Sequence, residues 1–360
     1  MSNYVEYKDK VAFHPGYFIK ELVEDSGLTQ EDFAKRLDTT PKNLSILIRG
    51  EQRLSNDIAM KLSRLTGTTI GYWLNLQKTY DSLSAEFESD KELEREKKIF
   101  ELLDYKYFRT YFGLKNYPRN KNAQTIETRA FLGVSTLRTL EKKDMAANFR
   151  SNSKISEAGI VKANVMVQIA INLALKTNAP KYDKKKFERA VDYALTQTTN
   201  HKTFYANIKR AFNEAGVILV VLPNIPGSNT NGATKKIGNN IMLMVNDRRS
   251  YADTFWFTLF HEIGHVMNGD FGISFENENG DIEDKADLYA QNKLIDPADY
   301  KNFIGKQRFD ATSIKRFAAE IGTDPGIVLG RLQNDHKVGY ADSSLNMLRH
   351  KYKAPVQAVD

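Results

Sequence analysis

The stretch GLTQEDFAKRLDTTPKNLSILIRG, residues 27–50, sets two short helical patterns around a tight polar turn. Thr29 is placed to cap a helix over QEDFAKRL, because its hydroxyl can accept from an otherwise unsatisfied N–H of the first turn. DTT then turns the chain, Thr40 caps a second helix, Pro41 opens it and Gly50 stops it after Arg49. Phe33, Ala34, Leu37, Leu44 and Leu47 form the expected core. Lys42, Asn43, Ser45, Ile46 and Arg49 are then left facing outward, and the polar ones among them can meet base edges or phosphates. Thr29 and Gln30 lie where a helix N-terminus can approach a phosphate backbone. The pattern is that of a helix-turn-helix. A small bundle using the same turn only for packing fits it too, and basic residues exceed acidic ones by only one over 1–80.

The longer stretch FHPGYFIKELVEDSGLTQEDFAKRLDTTPKNLSILIRGEQRLSNDIAMKLSRLTGTTIGYWLNLQKTYD, residues 13–81, resembles the HigA-type antitoxins of the Xre-like helix-turn-helix class. HPG, LTQ, IRG and YWLNLQ follow that family's order, while Ile46 stands where such proteins often carry a polar residue. The resemblance implies sequence-specific binding to operator DNA as a homodimer, with autorepression. A toxin partner is a further implication.

A second motif, FTLFHEIGHVMNGD at residues 257–270, places His261 and His265 one helical turn apart with Glu262 directly after the first. Both imidazoles then project from one face and can chelate one ion, and Glu262 can serve as the general base of a zinc hydrolase. Two histidines on an ordinary amphipathic helix are the plainer reading. A catalytic zinc site needs a third protein ligand. A third histidine in the metzincin pattern would fall at Phe271, which excludes that class. IEDKADLYAQ offers Glu283 as a third ligand, with Asp287 four residues on to accept from a ligand histidine's far nitrogen. Asp284 is the rival, without an acidic partner at that spacing. Tyr289 and His336 are weak candidates for a group that stabilises the transition state.

The flanks GVILVVLP, NGATKKIGNNIMLMVN, DTFWFTLFHEIGHVM, IEDKADLYAQNKLIDP and PGIVLGRLQ resemble the ImmA/IrrE-type metallopeptidases across about 205–340. That family pairs His-Glu-x-x-His with a downstream Glu-x-x-Ala-Asn/Asp, matched here by Glu283, Ala286 and Asp287. The resemblance implies His261, His265 and Glu283 as ligands of zinc, with manganese as the alternative, and Glu262 as the catalytic residue. It also implies a protein substrate, namely a repressor: a partner or the chain itself. The frame FAAEIGTDP at 317–325 repeats FAKRLDTTP at 33–41, and the family's helix-turn-helix-like element after the active site makes it scaffold, not a second DNA reader.

Composition bounds the rest. The chain has 360 residues, 41% hydrophobic, a formal net charge of +7 and no cysteine, so any metal must be held by His, Asp or Glu. The basic excess is concentrated in 81–210, where Lys and Arg outnumber Asp and Glu by nine. No apolar run is expected to span a bilayer, the first ten residues lack a signal-peptide core, and the chain is read as cytoplasmic, without a membrane partner. The expected architecture is multidomain and mainly α. An all-α helix-turn-helix domain at 1–81 is followed by a helical middle at 82–204, an α+β zincin-like metallopeptidase at 205–340 and a peripheral tail at 341–360. GVILVVLP is the first expected strand, and ATKKIGNNIMLMVN two more whose edge could receive an extended substrate.

Overall fold

The computed structural model describes residues 3–142, 156–247, 250–275 and 280–352. The chain divides into two compact units, 1–95 and 96–360.

The first unit starts with an antiparallel hairpin, β1 (Tyr4–Tyr7) and β2 (Lys10–Phe13), turning through Lys8 at φ 55°. This precedes the strand at 217, so the first expected strand is not the first in the chain. Five helices follow: α1 (Pro15–Asp25), α2 (Gln30–Arg36), α3 (Pro41–Ile48), α4 (Asn56–Thr66) and α5 (Ile70–Phe100). The break between units falls inside α5, beyond the expected boundary at 81. The predicted caps form: Thr29 Oγ1 accepts from the Asp32 N–H, and Thr40 Oγ1 from the Asn43 N–H, each at 3.1 Å. Between α2 and α3, Asp38 takes the left-handed conformation at φ 52°, which Asp tolerates better than most residues. Lys61 ties that turn down, donating to the Asp38 carbonyl at 2.8 Å and pairing with its carboxylate at 3.1 Å. Phe33, Ala34, Leu37, Leu44 and Leu47 are buried with Ile19, Leu54, Ile58, Leu62 and Trp73 in one core.

His14 caps α1 through Nδ1, which accepts from the Gly16 N–H at 3.0 Å and therefore must carry no proton. Burial pushes its pKa below the usual 6.5, against the opposing influence of Gln52 and the Asp81 charge. The unfolded chain thus binds a proton that the folded ring resists. The stability His14 contributes is present above about pH 6.5 and is lost as pH falls below it. The urea midpoint of this unit, read from its own NMR resonances, should fall between pH 7 and 5.5. His14→Asn, which can cap without titrating, should flatten that dependence.

The second unit is a four-stranded sheet covered on both faces. Before it come α6 (Tyr105–Phe112), α7 (Lys121–Leu132), α8 (Glu157–Leu175), α9 (Lys184–Thr196) and α10 (Phe204–Glu214). β3 (Val217–Leu222), β4 (Thr230–Ile237), β5 (Asn240–Asn246), α11 (Ala252–Asn268) and β6 (Gly272–Phe275) then alternate with α12 (Asp281–Leu294) and α13 (Pro297–Gly305). α14 (Ala311–Glu320), α15 (Pro325–Asn334) and α16 (Ser343–Asn346) close the described chain. The sheet order is β3-β5-β4-β6; β3 and β5 run parallel and the other pairs antiparallel.

Alternation along β3 and β5 assigns the two faces. Val217, Leu219, Val221, Ile241, Leu243 and Val245 pack with α9–α15, while Ile218, Val220, Leu222, Met242 and Met244 pack with α6–α8. Such strands read as continuous apolar runs because neither face meets water. Two expectations change here. The middle 82–204 is not a separate helical layer: from residue 96 onward it belongs to the unit that holds the sheet. α8 is, contrary to expectation, long and apolar enough to cross a membrane (19 residues, mean hydropathy 1.6), but its side chains are buried against the sheet as a core helix. The residues from 341 are not peripheral either, since Leu345 and Leu348 lie in the core and Tyr352 packs on Phe204 and Phe255. Residues 353–360 of that tail lie outside the described residues.

Candidate functional site

Helix α11 carries FTLFHEIGHVMN through the core of the second unit, with Leu259, Phe260, Ile263 and Val266 buried. Opposite it lies α12, and small residues set their spacing. A Cβ on Gly264 would stand 3.2 Å from the Ala286 Cα and 3.2 Å from Tyr289, so the helices meet where neither has bulk. That approach brings Glu283 of α12 to the two histidines of α11. His261 Nε2 lies 3.0 Å from Glu283 Oε2 and 3.0 Å from His265 Nε2, and His265 Nε2 lies 3.5 Å from Glu283 Oε1. All three residues are buried, and Glu283 Oε1 has no hydrogen-bond partner.

These separations suit a metal ion. Bonds of about 2.0–2.1 Å at the tetrahedral angle put ligand atoms roughly 3.3 Å apart, close to the observed 3.0–3.5 Å. Two imidazole nitrogens and one carboxylate oxygen are the donor set that zinc accepts with a position left open. Asp287 stands behind, its Oδ1 2.7 Å from His261 Nδ1, so that nitrogen donates and Nε2 is left as the ligating atom. Burial disfavours a charged His261, but hydrogen bonds to Asp287 and Glu283 and the charge of Glu262 outweigh it and push the ring up to about 10. Burial would raise Glu283, yet hydrogen bonds from His261 and His265 and their charges hold it well below the usual carboxylate range.

Glu262 is wholly buried, and β4 runs directly over it: a Cβ on Gly232 would sit 2.5 Å from Glu262 Oε1. The sequence reading missed Gly232. The strand expected from Ala233 starts earlier, at Thr230, so Gly232 lies in β4, paired with Val245 on one side and Ser274 on the other. The expected free edge at 232–245 is therefore absent, because β4 lies between β5 and β6 and β5 between β3 and β4. Asp284 is exposed and outside the cluster. Tyr289 packs on Gly264, and His336 is exposed in a left-handed turn after α15. In the second Phe-Ala frame Phe317 and Ala318 are buried, as are Ile327, Val328 and Leu329 just beyond it in α15.

In the first unit, the residues expected on the outer face of α3 form two local networks. Asn43 donates to Thr39 Oγ1 at 2.9 Å and accepts from Gln52 at 2.7 Å. Arg49 is bidentate to Glu51 at 2.9 and 3.0 Å and donates to Ser45 Oγ at 2.6 Å. Gln30 and Lys42 are exposed, and Thr29 and Thr40 are exposed with their hydroxyls engaged as caps. Glu51 was missed by the sequence reading. Its two-residue offset from Arg49 was the available signal.

Two short helices, a fixed turn and a polar outer face define a helix-turn-helix domain, and residues 19–73 match the helix-turn-helix family. The chain belongs to the helix-turn-helix family of transcriptional regulators. It is 33% identical over 79 residues to the uncharacterized HTH-type transcriptional regulator YddM of Escherichia coli, covering 21% of this chain and 84% of that one. It is 39% identical over 69 residues to virulence-associated protein A' of Dichelobacter nodosus, covering 19% and 60%. Among solved structures it is similar to an addiction module antidote protein of the HigA family from Coxiella burnetii, with 30% identity, 23% and 92% coverage and a TM-score of 0.22. All three likenesses cover about a fifth of the chain.

Proposed function

We propose that this chain is an operator-binding repressor whose second unit is a zincin-like, zinc-dependent endopeptidase that cuts a repressor, either a partner or the chain itself, and so relieves repression. The observation that carries the peptidase reading is the convergence of His261, His265 and Glu283 beside Glu262, with Asp287 orienting the first ligand. His261, His265 and Glu283 would hold the ion. When bound, it supplies Lewis acidity, acidifying water and polarising a carbonyl. Asp287 keeps His261 in the ligating tautomer, and Glu262 takes a proton from the attacking water and passes it to the leaving amine. The test incubates the full chain with zinc or manganese, alone and with regulators encoded beside it, and identifies cut ends by mass spectrometry. Metal-dependent ends within a helix-turn-helix or its linker support the reading; intact proteins at every metal concentration refute it.

The enclosure of Glu262 beneath β4 favours a second reading, a non-catalytic antitoxin whose metallopeptidase-like unit binds a toxin or a signal. Metal binding without cut ends is its expected outcome.

Operator recognition rests on α3. Exposed Lys42 suits a phosphate contact, and Arg49 with Ser45 suits a base edge. Lys42→Ala should weaken binding to operator and unrelated DNA alike and reduce the salt slope by about 1. Arg49→Ala should cost about 1–3 kcal/mol on the operator alone. Glu51→Ala should tighten binding by freeing the Arg49 fork. Fluorescence anisotropy on operator duplexes at several salt concentrations checks all three.

A further inference from the structure

Away from α12, a second set of metal-type ligands meets on the second unit. His201 lies in the turn before α10, Asp324 caps α15, and His350 lies in the segment after α16. One ligand atom from each falls within 4.8 Å of the others. His201 Nε2 is 3.1 Å and His350 Nδ1 3.0 Å from the same oxygen, Asp324 Oδ2. We infer that His201, Asp324 and His350 form a second zinc-binding site, which ties the segment after α16 to the turn before α10 and to the N-terminus of α15.

The two carboxylate oxygens of Asp324 are used differently. Oδ1 accepts from the Gly326 N–H at 2.7 Å and completes the helix cap. Oδ2 is 1% exposed with its residue and has no hydrogen-bond partner, although two ring nitrogens approach it. Neither approach has hydrogen-bond geometry, so this buried oxygen is left unsatisfied among the described residues. The rings themselves stack, with centroids 3.8 Å apart and planes at 26°. As ligands, two imidazoles and one carboxylate would bring one negative charge to a divalent ion. Separations of 3.0 and 3.1 Å match ligand atoms around one tetrahedral ion. Two nitrogens and one oxygen select zinc or a similar borderline cation over calcium or magnesium. Both histidines remain partly exposed, so the ion has a route in and room for a water.

The neighbouring backbone gives the site its consequence. The His350 carbonyl accepts from the Ala252 N–H at 2.8 Å, and the Tyr352 N–H donates to the Ser250 carbonyl at 2.9 Å. Arg349 is bidentate to buried Asp253, at 2.7 Å for its closest contact. The segment 349–352 is thus laid along the first turn of α11, and an ion bridging His350 to His201 and Asp324 would lock it there.

Two measurements on the full chain test the site. The first is residue-resolved carbethoxylation of histidines with and without zinc: labelling of both His201 and His350 should fall by about tenfold or more when zinc is near-saturating. The second is zinc content after dialysis. His201→Gln and His350→Gln should each hold one equivalent fewer than the parent, whether or not the His261 cluster is filled. Equal labelling with and without zinc, or unchanged zinc content in both variants, overturns the assignment.

Discussion

Glu262→Gln is expected to abolish metal-dependent cleavage, lowering its rate by about a hundred- to ten-thousand-fold, the usual contribution of a general base. The substitution keeps the shape of a wholly buried side chain in contact with β4 and removes only its capacity to accept a proton. The proposed ligand atoms lie on His261, His265 and Glu283, so zinc content is expected to be unchanged. Operator affinity, carried by the first unit, should also be unchanged. Single-turnover cleavage followed by mass spectrometry reads the rate, and elemental analysis reads the metal. Equal cleavage by parent and variant would sink the assigned role of Glu262, and with it the peptidase mechanism.

Gly232→Ala should produce an effect of similar size from a residue with no chemistry of its own. The added Cβ would stand 2.5 Å from Glu262 Oε1 and 2.6 Å from its Cδ and Cγ, distances that force a shift. Gly232 cannot retreat easily, because its strand is paired on both sides. Overpacking of this kind costs about 1–3 kcal/mol of stability. A displacement of a catalytic group by about 1 Å costs on the order of a hundredfold in rate. Thermal denaturation and cleavage, measured together, should both fall. An unimpaired Gly232→Ala would mean that β4 does not hold Glu262 in place.

Much of the first unit was legible because its signals are local. Thr29, Thr40 and Pro41 act on backbone groups within four residues of themselves, so the caps could be placed before the fold was known. The hairpin at Tyr4–Phe13 was not legible in the same way. Its turn puts Lys8, and not Asp9, at φ 55°, a conformation lysine does not advertise, and YVEYKDKVAF lacks the glycine or asparagine that usually marks such a turn. In the second unit, the helical character of the middle region was legible, but the burial of α8 was not. Only the sheet showed what covers it.

The metal-type cluster divides along the same line. His261 and His265 share a face because four residues make one helical turn, and spacing alone determined that pair. Glu283 could be nominated by its spacing to Asp287, but its distance to the histidines depends on how closely α11 and α12 approach. Gly264 against Ala286 decided that. The sequence also contained Gly232, His201 and His350 without any mark of importance, since their partners lie 30, 123 and 26 residues away. Local spacing determines what a helix can present to one side, because the backbone repeat is fixed. What meets it from the other side was decided by strand pairing and helix packing, which depend on side-chain volumes summed across the whole unit.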